Sequence, residues 1–96
     1  MTKEQFLQGV EFRTSSRTYK GAPTFSYNEN GYLYEKLRSS SDNRCIISQF
    51  CCNIIKVGSK GFSAFTFVMD KRVVVKYKFE DLVIFNIEGN IIDSYE

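Results

Sequence analysis

The chain has 96 residues, 43% apolar and 25% charged, with a formal net charge of +2. That is one domain of ordinary globular composition, which argues against wholesale disorder and against two separate cores. It holds nine Phe and six Tyr but no Trp and no His, so the commonest general base and metal ligand is missing, and strand-favouring aromatics must fill the interior.

Thr2-Lys3-Glu4-Gln5 has the form of a capping box, with Phe6, Leu7 and Val10 following at helical spacing, which predicts a short helix over residues 3–8 that Gly9 ends. Glu11–Thr14 alternates and reads as a first strand, and Gly21-Ala22-Pro23 marks a turn or strand break. Thr24–Tyr27 and Tyr32–Leu37 flank Asn28-Glu29-Asn30-Gly31, a hairpin signal because Asn-Gly accepts the positive φ of a tight reversal. Arg38–Arg44 contains no apolar residue and is expected to be a solvated loop outside the core.

From Cys45 the pattern strengthens. Cys45–Val57 reads as a long strand, bent or bulged near Cys51-Cys52-Asn53, and Gly58–Gly61 as a turn. Phe62–Met69 sets Phe65, Phe67 and Met69 on one face against Phe62, Ala64 and Val68. After a turn at Asp70-Lys71, Val73–Tyr77 sets Val73, Val75 and Tyr77 against Val74, Lys76 and Lys78. Phe79–Leu82 is a helical turn or a corner, and Val83–Ile87 and Ile91–Tyr95 form a closing hairpin around Glu88-Gly89-Asn90. Turns this frequent and the lack of a long amphipathic helix predict a single all-β, mainly antiparallel domain over residues 1–96. The expected form is a small barrel or sandwich of about seven strands with a short N-terminal helical segment.

Charge is unevenly distributed. The first 78 residues hold all 13 Lys and Arg, whereas residues 79–96 hold Glu80, Asp81, Glu88, Asp93 and Glu96 and no base. Either basic and acidic strands pair across one sheet, or two separated patches dock copies or a partner head to tail. The cysteines (Cys45, Cys51 and Cys52) are odd in number, so they form no fully paired framework. They are expected to be buried and structural, with Cys51 and Cys52 on opposite faces of their strand. The polar start and the lack of a long apolar run lead us to expect a protein without a leader or membrane helix, reduced and cytoplasmic in its host cell.

Catalysis is disfavoured, since no Cys–His or Ser–His pair exists and Glu80-Asp81 looks like a solvated corner. No cofactor, metal or small-molecule substrate is expected: Cys51-Cys52 lacks the gap that lets two thiolates reach one zinc, and Gly58-Ser59-Lys60-Gly61 lacks the spacing of a phosphate loop. Binding remains. Tyr suits interfaces because it offers area, rigidity and one polar tip. The candidate interface residues are Tyr32, Tyr34, Arg38, Arg44, Lys76 and Lys78, contacting a protein partner or another copy. The alternative is a single-stranded nucleic-acid binder that stacks bases on Tyr19, Tyr32, Tyr34 and Tyr77 among interleaved lysines.

Lys56-Val57-Gly58, Gly61-Phe62, Phe65–Val68 and Tyr77–Leu82 together resemble small proteins encoded by tailed bacteriophages, over residues 45–85. That resemblance implies an accessory part of a virus particle, or a small protein acting on a host factor. It transfers no functional residue.

Overall fold

The computed structural model describes residues 1–85. Helix α1 (Lys3–Leu7) is followed by strands β1 (Phe12–Thr14), β2 (Thr24–Asn28), β3 (Tyr32–Arg38), β4 (Cys45–Val57), β5 (Gly61–Val68) and β6 (Lys71–Lys78). A 3-10 turn (Phe79–Asp81) then leads into β7 (Leu82–Ile84). All seven strands join one antiparallel sheet in the order β6-β5-β4-β3-β2-β1-β7. The mainly antiparallel all-β fold is therefore as expected, and it takes the form of a half-barrel. The closing hairpin expected over 83–95 lies, from Asn86 onward, outside the described residues.

The connection between β6 and β7 forces the curl. These strands stand at opposite ends of the sheet order, and laid flat they would be about 29 Å apart. The three residues that join them span at most about 10 Å. Bulges supply the bending: register shifts fall between Leu33 and Tyr34, between Leu37 and Arg38, and between Ile54 and Lys56. Gly61 permits a close strand approach, because a Cβ there would fall on the Tyr77 carbonyl. It begins β5 instead of ending a turn.

The concave side holds the core of Phe6, Phe12, Leu33, Cys52, Phe62, Ala64, Phe79 and Leu82. With no second sheet among the described residues, α1 caps this side. Its capping box forms as the sequence predicts: Gln5 N–H donates to Thr2 Oγ1 at 3.1 Å and Thr2 N–H to Gln5 Oε1 at 2.9 Å. The helix thereby delivers Phe6, fully buried, onto Phe62 (centroids 4.5 Å, stacked), Tyr27 (5.0 Å), Phe79 (5.5 Å) and Phe12 (5.9 Å).

The convex side carries a second, polar cluster where β1, β2 and β3 meet. Arg38 is only 7% exposed. Its guanidinium donates to Glu11 Oε2 (2.6 Å), Thr24 Oγ1 (3.2 Å) and the Asn43 carbonyl (2.9 Å). Arg13, also buried, donates to the Ala22 carbonyl and to Asn43 Oδ1, and both guanidiniums lie over the Phe85 ring, at 4.7 and 4.5 Å. Arg38 thus belongs to β3 and to the interior and not to the solvated loop expected from 38 to 44. That stretch shows no apolar residue, but a guanidinium with several acceptors and a ring beneath it is buried readily.

Two measurements test this account. Phe6→Ala should lower stability by about 3–5 kcal/mol in urea denaturation. The β5–β6 turn places Met69 and Asp70 at φ 51° and 65°, left-handed values that suit Asn-Gly far better than Met-Asp. Met69→Asn with Asp70→Gly should therefore raise stability by about 1 kcal/mol.

Candidate functional site

Neighbours across a sheet share a face, so register decides what the convex side presents. Tyr32 pairs with Asn53, Asn53 with Phe65, and Phe65 with Val74, a single row crossing β3, β4, β5 and β6. Beside it, Tyr34 pairs with Phe50 and Phe67 with Arg72. The inward residues Leu33, Cys52 and Ala64 have the opposite parity and are buried, so this row points outward. Alternation should make the solvated face of such a sheet polar. Here it carries Tyr32, Tyr34, Phe50, Phe65, Phe67 and Val74, with Phe67 63% and Phe50 50% exposed.

The rings organise one another. Phe50 meets Tyr32 and Tyr34 edge-on at 5.6 and 6.5 Å, Phe65 meets Phe67 edge-on at 5.8 Å, and the Arg72 guanidinium sits 4.4 Å above Phe65. Among the described residues no element covers this face; α1 lies on the concave side. The N-terminal half of β4 is held by β3 alone, since β4 pairs with β5 only from Asn53 to Val57. That leaves Ile46 and Ile47 exposed as well.

The structure brings the predicted interface residues together only in part. Tyr32 and Tyr34 share the outer face with Phe50. Lys76 and Lys78 are exposed on the same face but on β6, where Lys76 pairs with Ser63 and Ser63 with Lys56. Arg44 is exposed in the loop after β3, where its N–H donates to Asp42 Oδ1 at 3.0 Å. Arg38 lies on the outer side but is buried there by Glu11, Thr24, Asn43 and Phe85, which leaves it little to offer a partner. Sequence reading missed Phe50, Phe65, Phe67, Arg72 and Val74. The available signal was that both parities of β4 and β5 are apolar, which is more than one core requires.

The cysteines also differ from expectation. Cys45 is exposed, Cys51 half-buried and Cys52 buried. Cys51 and Cys52 line the same concave cavity, of about 120 Å³, instead of facing opposite ways. Leu33 pairs with Cys52 and Tyr34 with Phe50, so Cys51 is the extra residue of a bulge, and a bulge breaks strict alternation. A hydrogen bond from the Cys52 thiol holds Cys51 below its ordinary value; the same bond, together with burial, pushes Cys52 up. Among the described residues no group of three or more His, Cys, Asp or Glu could hold a metal ion, and no helix is long and apolar enough to cross a membrane.

Family models, curated proteins and solved structures provide no match to this chain. Its site therefore has to be understood from its own geometry.

Glu11 ties the covered end of the outer face together. Burial raises its carboxyl, but hydrogen bonds from Lys36 (2.9 Å), Arg38 and Thr24 (3.0 Å) outweigh that and hold it below the ordinary value of 4.5. A depressed folded-state value means that its stabilisation is complete above about pH 4.5 and is lost as pH falls through the folded value. Glu11→Gln should flatten stability in that acid window. At neutral pH it should cost about 2 kcal/mol, because Arg38 stays buried without its carboxylate. Denaturant melts at stepped pH check both.

Proposed function

We propose that this protein is a non-catalytic protein-binding module that docks through the outer face of β3–β6. The observation that carries the reading is the row Tyr32–Asn53–Phe65–Val74 with Phe50 and Phe67 beside it, aromatic surface exposed on the side where a half-barrel is ordinarily polar. Contiguous apolar surface of this kind marks interaction sites on small domains. Its aromatic residues and Arg72 match the composition of interface centres. The resemblance of residues 45–85 to small phage-encoded proteins favours an accessory role in a virus particle or a similar assembly, acting in the cytoplasm of the host cell.

One observation favours a second reading. Lys56 and Lys76 flank Ser63 across the sheet, next to the aromatic row and on the same face, and aromatics beside basic residues also suit single-stranded nucleic acid. Against it, Phe50 and Phe65 are packed edge-on by other rings, and Phe65 is capped by Arg72, which leaves less flat surface for a base.

Tyr32→Ser with Tyr34→Ser separates these readings. Both side chains lie outside the core, so the variant should unfold within about 1 kcal/mol of the parent. In affinity capture from the native source it should lose the partner that the parent retains. Loss of cooperative unfolding would show these tyrosines to be core. A gel shift with single-stranded oligonucleotides that weakens steeply as salt rises would instead support the nucleic-acid reading.

A further inference from the structure

Among the described residues the half-barrel has an open seam. β6 is the last strand of the sheet order, so among the described residues one of its edges has no strand partner. Facing the Tyr77 end of that edge across the seam are the end of β1 and the loop after it. Between them lies a cavity of about 360 Å³, with Arg17 and Pro23 on one wall and Tyr77 and Asp81 on the other. The smaller cavity of about 120 Å³ lies deeper, is almost wholly apolar, and shares Thr14, Phe25 and Tyr77 with the first.

The two faces of β6 specify different chemistry. Val73, Val75 and Tyr77 point inward, paired with Thr66, Ala64 and Phe62. Arg72, Val74, Lys76 and Lys78 point outward, paired with Phe67, Phe65, Ser63 and Gly61. A strand added beside β6 places alternate side chains on the same two faces. Its inward positions would enter an apolar cavity, and its outward positions would lie next to three cations. Another copy of β6 does not fit, because antiparallel pairing brings same-face residues together and would oppose cation to cation. Asp81 is the one acid among the described residues lining the two cavities.

We infer that the seam is a strand-acceptor site for an extended protein segment that alternates apolar with acidic residues, which adds to the β6 edge and closes the barrel. Main-chain hydrogen bonds to the edge supply affinity. The cavity and the cations Arg72, Lys76 and Lys78 supply register and specificity. This edge adjoins the outer aromatic face and shares Arg72 with it, but its main-chain pairing and inner cavity do not involve Tyr32, Tyr34 or Phe50. Cys51 lines the inner cavity and reports occupancy, since a bound strand covers its half-buried thiol.

The test uses the full chain and two fluorescent synthetic peptides of about ten residues, a length matched to β6. One alternates valine and threonine with glutamate, the other with lysine. By anisotropy the glutamate peptide should bind about tenfold more tightly than the lysine peptide, and Lys76→Glu with Lys78→Glu should invert the preference. Saturation with the glutamate peptide should slow iodoacetamide alkylation of Cys51 in the parent protein, read by mass spectrometry. Tyr32→Ser with Tyr34→Ser should leave peptide binding unchanged. Equal binding of the two peptides, binding that leaves Cys51 alkylation unaffected, or binding of oligothymidylate but neither peptide would overturn the proposal.

Discussion

Phe6 holds a position that no other described residue could take. A curled sheet has one concave side, and a chain this short has little material to cover it. The solution is a five-residue helix, too short to be stable alone, that exists to carry one phenylalanine into a nest of four aromatic rings. The N-terminal ammonium is drawn in behind it, donating to the Phe79 and Leu82 carbonyls at 3.5 and 3.3 Å. Remove that ring and Phe79, in the turn between β6 and β7, keeps Phe62 but loses the nearer of the two rings it packs against.

The outer side follows from the same economy. Its covered end is closed by charge and ring contacts, with two guanidiniums over Phe85 and Glu11 beneath Arg38 and Lys36. Such a cluster orders the loops after β1 and β3 through Asn43, which accepts from Arg13 and from the Gly21 N–H. The other end, over β3–β6, is covered by no element among the described residues and carries exposed and half-buried aromatics. One sheet surface is thus divided into a sealed part and an open part, and the division places the candidate docking face next to rigid structure, where recognition loses little conformational freedom.

Much of the scaffold was legible in the chain. The capping box at Thr2, the Asn28–Gly31 reversal, and the bounds of Cys45–Val57 follow from local rules, and the structure shows each of them. Tyr32 and Tyr34 were identifiable as interface candidates by their residue type, while their partner Phe50 was not, because it reaches them only through a register shifted by a bulge. Arg38 misled for the opposite reason: its polar neighbours imply solvent, whereas the acceptors and ring that bury it come from Glu11, Thr24, Asn43 and Phe85, remote in sequence.

Period-two alternation and turn chemistry act over a few residues, so the sequence alone determined where the strands of the described residues lie, their antiparallel course, the helix and its cap. Which of two apolar faces turns inward is a property of closure, and closure depends on the three residues that bring β6 to β7. Only the tertiary structure therefore decided that Phe62 and Ala64 are core while Phe65, half-buried, and Phe67, exposed, lie on the outer face. It likewise decided that adjacent Cys51 and Cys52 share one cavity, since a bulge is defined by the strand opposite and not by the residues within it.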